Sequence, residues 1–113
     1  MKKILSLILG IFLLLPFGAD PALELLIAPN PDVDRSLASV RWYLPDGLVG
    51  RVELVLFNIR GQRLLGQVFQ QNEPGEGNWL LSAESEFYDL GRGIYIMKLN
   101  VGNKTIRNKF TIL

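Results

Sequence analysis

The chain has 113 residues, with 12 Lys and Arg against 11 Asp and Glu, and it contains neither histidine nor cysteine. Without cysteine there is no disulfide framework, thiolate metal site or lipoprotein anchor, and without histidine the commonest general base and metal ligand are gone. Charges this balanced and interspersed leave no electrostatic footprint for nucleic acid or an anionic membrane surface.

Met1-Lys2-Lys3 makes a short basic start, and residues 4–17 are an apolar run broken only by Ser6, Gly10 and Pro16. That order predicts a signal peptide over residues 1–22, with Gly18, Ala19 and Ala22 as small residues near the cleavage point. As a helix the run rises about 21 Å, short of a hydrocarbon core about 30 Å thick. A permanent membrane span is therefore the weaker reading, and no membrane insertion is expected after cleavage. Residues 23–113 are expected to form one exported domain, destined for the periplasm, the outer-membrane surface or the medium. Its roughly 90 residues suffice for one core, which must hold together by packing alone.

The domain reads as short alternating runs separated by turn residues. Residues 23–28 are apolar apart from Glu24 and stop at Pro29. Val40, Trp42 and Leu44 alternate with Ser39, Arg41 and Tyr43, the period of a half-buried strand, and Pro45-Asp46-Gly47 supplies a turn. Over residues 51–58, Val52, Leu54 and Leu56 share one face; Glu53, Val55 and Phe57 share the other. That second face is also mostly apolar, so this strand is expected to be central and covered on both sides. Arg60-Gly61 is a hairpin reversal, and residues 62–70 return as the next strand. Residues 71–78, with Pro74, Gly75 and Gly77, are the most loop-like stretch, followed by a brief strand at 79–82 and a corner over 84–93 rich in acid and glycine. Strands at 93–100 and 104–113 flank the reversal Val101-Gly102-Asn103, and no stretch has helical periodicity. About seven strands spaced about ten residues apart predict an all-β fold, an Ig-like antiparallel β-sandwich.

Several short motifs fall in order along this framework: Ala28-Pro29-Asn30-Pro31, Phe57-Asn58-Ile59-Arg60-Gly61-Gln62, Leu90 with Gly93-Ile94-Tyr95, and Asn108-Lys109-Phe110. Together they resemble the C-terminal sorting domain of the type 9 secretion system and the related Ig-like domain of the flagellar hook-capping protein. The resemblance spans about residue 26 to the last residue, 113. It implies a β-sandwich recognised by outer-membrane secretion or surface-assembly proteins. Family members follow a cargo domain, whereas here only the signal-like segment precedes the module.

Most motif residues also have a fold-making explanation. Pro29, Asn30 and Pro31 end the first strand and steer the chain towards the other sheet, because each proline fixes its own φ and extends the residue before it. Gly61 and Gly93 read as turn glycines, and Tyr95 as a corner tyrosine with its ring in the core and its hydroxyl on a backbone group. Along the last strand, Ile106, Asn108, Phe110 and Ile112 fall on one face. Arg107, Lys109 and Leu113 fall on the other, with Thr105 and Thr111. Since the resemblance places sorting information at this end, Lys109, Arg107 and Leu113 are the expected partner contacts.

Other chemistries lack a motif. Ser36, Ser39, Ser82 and Ser85 sit in no nucleophile context, so the chain is not expected to be an enzyme. Asn30, Asp32 and Asp34 have the spacing that opens a calcium loop, but Arg35 stands at its glycine and Arg41 at its bidentate glutamate, so no metal and no cofactor are expected. Glu84, Glu86 and Asp89 are carboxylates without a defined cleft. Carbohydrate binding would need exposed aromatics from among Trp42, Tyr43, Trp79, Phe87 and Tyr88. Alternation puts Trp42 in the core, and the acidic corner puts Phe87 and Tyr88 at the surface. The leading expectation is an exported recognition module docking on secretion or cell-surface machinery. A structural Ig-like adaptor is the alternative, ahead of a carbohydrate-binding module.

Overall fold

A computed structural model describes residues 22–28, 32–33 and 36–113. The basic and apolar segment expected to be a signal peptide, the Pro29-Asn30-Pro31 motif and Asp34 of the calcium-like spacing lie outside these residues.

The described chain is an all-β sandwich. One sheet has three strands in the order β1 (Glu24–Ala28), β3 (Ser39–Leu44), β6 (Gly75–Leu80). The other has five, ordered β2 (Asp32–Val33), β8 (Lys104–Ile112), β7 (Gly93–Val101), β4 (Gly50–Asn58), β5 (Arg63–Gln71). All ladders are antiparallel except β2 against β8, where Asp32 and Val33 run parallel to Thr111 and Ile112. The longer strands follow the alternation in the sequence. Val52, Leu54 and Leu56 of β4 and Met97 and Leu99 of β7 point inward with no exposed surface, facing Val40 and Leu44 of β3. Each fully buried aliphatic side chain contributes roughly 1.5–3 kcal/mol, the main stabilising term for a domain without cross-links.

The stretch expected to be a loop is largely a strand. Gly75 and Gly77 lie within β6 and pair with Leu44 and Trp42 of β3. A Cβ on Gly77 would stand 2.1 Å from Trp42 Cε2, so the indole lies directly on the glycine. Glycine here admits a large neighbour rather than making a turn. The strand expected at 79–82 is correspondingly split: Trp79 and Leu80 finish β6, and Leu81–Ala83 is a single 3-10 turn.

The acidic corner holds one turn of helix, α1 (Ser85–Tyr88), whose Phe87 is 0% exposed. This corrects its expected surface position. Glu84, Ser85, Glu86 and Tyr88 surround it in sequence, and a single turn is too short to show periodicity. Phe87 is the plug by which the crossing from β6 to β7 seals the sandwich.

Candidate recognition surface

The turn motifs are built to hold themselves. At the β4–β5 hairpin, Asn58 Oδ1 accepts from the backbone N–H of Arg60 at 2.9 Å and of Gln62 at 3.0 Å. Its own backbone N–H donates to the Gln62 carbonyl, and its carbonyl accepts from Gly61, both at 3.0 Å. Gly61 closes this loop with φ +87°, a left-handed conformation that disfavours any side chain. Farther on, the Tyr95 ring packs 6.0 Å from Phe110, and its hydroxyl donates to the Gly91 carbonyl at 2.7 Å. Gly93 opens β7 between them with φ +150°. These side chains are occupied in shaping the chain.

The partner-contact candidates lie elsewhere. Arg107, Lys109 and Leu113 are all exposed, and both cations sit on the side of β8 opposite the core residues Phe110 and Ile112. Cross-strand register brings further residues to the same outer face. One row runs Lys109, Ile96, Phe57, Arg63 across β8, β7, β4 and β5. The next runs Arg107, Lys98, Val55, Gly66, and the third Thr105, Asn100, Glu53, Val68.

The face is cationic with an apolar middle. Among the outward positions of β4, β5, β7 and β8, Glu53 is the only carboxylate, and it accepts from Asn100 Nδ2 at 3.3 Å. Lys98 Nζ lies 5.3 Å over the Phe57 ring, a cation–π arrangement that keeps its stem on the sheet. The Arg63 guanidinium covers Gly66, where a Cβ would meet Nη2 at 2.1 Å. Flanked by Lys98 and Gly66, Val55 is only 5% exposed although it points outward. β4 is therefore covered on both sides, but on this side by cationic side chains rather than by another layer. The outer face of the smaller sheet differs: Glu24, Tyr43 and Glu76 form one row, and Arg41 is the one basic side chain among its strand positions.

Several of the residues considered for other chemistries are committed to the fold. Trp42, Trp79 and Phe87 are buried. Phe69 lies between the two tryptophans, 5.4 Å from Trp42 and 6.2 Å from Trp79 between ring centroids. Trp42 Nε1 donates to Gln71 Oε1 at 2.9 Å, and Gln71 Nε2 donates to the carbonyls of Glu73 and Gly75. Trp79 Nε1 donates to Glu84 Oε2 at 3.0 Å, which uses one of the corner carboxylates as an indole acceptor. Of the aromatics considered for stacking on a sugar, Tyr88 alone is exposed, at 48%, so these five do not make a flat stacking platform. Among the described residues, no three His, Cys, Asp or Glu side chains converge to hold a metal ion. No helix among them is long and apolar enough to cross a membrane.

Sequence reasoning found the β8 part of this face through alternation. It missed Arg63 and Lys98, whose contribution depends on register across four strands. No protein-family model matches the chain, and no curated protein is significantly similar to it.

Proposed function

We propose that the chain is an exported, non-catalytic recognition module that docks on secretion or cell-surface machinery through the outer face of its five-stranded sheet. The observation that carries this reading is the division of labour within β8. Phe110 and Ile112 build the core while Arg107 and Lys109 stand exposed on the opposite side, so the strand presents its cations on a rigid base. The ordered motifs resembling the type 9 sorting domain favour the same end of the molecule.

The test is co-purification from the native host. Tagged protein is recovered from periplasm, outer membrane and medium, and its partners are identified. Arg107→Glu with Lys109→Glu is expected to abolish co-purification of an outer-membrane or surface-assembly protein without loss of folded protein. Partner recovery unaffected by both charge reversals would sink the proposal. Truncation before Lys109 is unsuitable, because it removes Phe110 and Ile112 from the core.

A second reading, a structural Ig-like adaptor, draws on β5. Among the described strands, this nine-residue strand is paired only with β4 and carries no charge after Arg63. Such an edge can accept a neighbouring strand. Co-purification lost on Val68→Pro but not on the charge reversals would select the adaptor.

A further inference from the structure

The outer face has a shape as well as a charge. Ile96 on β7 stands opposite Phe57 on β4, with Val55 diagonal to Ile96 and Ile94 diagonal to Phe57, making a short apolar strip along the strands. Exposed cations border it on both sides, Lys109 and Arg107 from β8 and Arg63 from β5. Ile94 is 43% exposed, Ile96 and Phe57 are half-buried and Val55 is nearly fully buried, while the bordering side chains are long and solvated. The strip is therefore low in its middle and rises at Ile94, a shallow trough with cationic banks that is open at one end. With neighbouring strands about 4.8 Å apart, the backbones carrying Lys109 and Arg63 are separated by about 14 Å. An α-helix with its side chains is about 10–12 Å across.

We propose that this trough receives an amphipathic helix of a partner protein, with an apolar stripe seated on Ile94, Ile96 and Phe57 and carboxylates on both flanks. Those carboxylates pair with Lys109 and Arg107 on one bank and Arg63 on the other. Lys98, resting over Phe57, supplies a further cation within the trough. A helix fits because it is convex and presents side chains at two angles from one stripe. A bilayer surface is flat and needs apolar groups that protrude beyond the cations, whereas Ile96, Phe57 and Val55 lie below them and Ile94 alone is exposed. A nucleic-acid backbone offers phosphate but nothing to cover the apolar strip.

The proposal rests on this face being the docking surface, and its test is separate from the host experiment. The probe is a fluorescein-labelled peptide of about 18 residues, five turns, with leucines on one stripe and glutamates on its flanks. Binding to the purified protein is followed by anisotropy. The ordered peptide is expected to bind at least about tenfold more tightly than a scrambled peptide of identical composition, a difference of about 1.4 kcal/mol. Arg63→Glu and Lys109→Glu are each expected to weaken it about tenfold, and Ile96→Lys to weaken it similarly while leaving the charged banks intact. Amide shift changes in NMR spectra are expected along β7 and β4. Equal binding of ordered and scrambled peptides would overturn the proposal, reducing the face to a diffuse charge attractor. So would capture of phosphatidylglycerol vesicles without peptide binding, or binding of neither probe. Failure with the peptides, combined with host co-purification that still depends on Arg107 and Lys109, overturns the helix and leaves the docking reading standing.

Discussion

Trp42 shows how much one contact organises. Its ring lies on Gly77 and tilts against Phe69, and its N–H ends on Gln71, whose amide holds the carbonyls of Glu73 and Gly75 between β5 and β6. Gly77→Ala forces a methyl into the indole, and overpacking of this kind costs about 1–3 kcal/mol. The expected result is a lower denaturant midpoint at unchanged slope, with tryptophan emission shifted to the red. Phe87 tests the corner in the opposite way: Phe87→Ala empties a fully buried site and is expected to cost about 3–5 kcal/mol by chemical denaturation. Tyr88→Ala, one residue on and about half exposed, is expected to change stability by no more than about 0.5 kcal/mol. A pair of similar losses would mean that Phe87 does not plug the sandwich. Phe87 was illegible in the sequence because its neighbours are polar and a single turn has no repeat to detect.

Elements that pair locally were legible, and β2 and β6, defined by distant partners, were not. The β4–β5 and β7–β8 hairpins have apolar alternation on both sides of a turn residue, so Gly61 and Gly102 mark them directly. β6 contains Gly75 and Gly77, which weaken any strand signal, and becomes a strand through its pairing with β3, far away in sequence. The candidate surface divides along the same line. Arg107 and Lys109 follow from alternation in β8, but the apolar trough exists only after β4, β5 and β7 are set in register. β8 also gives an element-scale prediction. Removing residues 109–113 is expected to abolish cooperative thermal unfolding and near-ultraviolet dichroism, since Phe110 and Ile112 leave the core. Reversing Arg107 and Lys109 alone should keep both within the range of ordinary surface changes, about 0.5 kcal/mol per site. A truncated chain that still melts cooperatively would show that β8 is dispensable to the core.

For the whole molecule, net charge is a poor summary. A total of +1 is compatible with a surface sorted into a cationic sheet face and a mixed opposite face, and only the fold does the sorting. The two ends of the described chain are sorted too, by direction. Leu25 accepts a hydrogen bond from Asn108 through its carbonyl, and Asp32 and Val33 pair with Thr111 and Ile112, so the first segment advances alongside β8 in the same sense. If Ala22 and Leu113 are pulled apart, this seam is loaded in shear, its hydrogen bonds sharing the force at once. Force applied at Gly50 and Gln71, the open end of the β4–β5 hairpin, instead peels one pair at a time. Single-molecule stretching is expected to need a higher force in the first geometry, and equal forces would mean the seam bears no load. In this fold, resistance to tension is expected to be directional, with the stronger axis running from the first strand to the last.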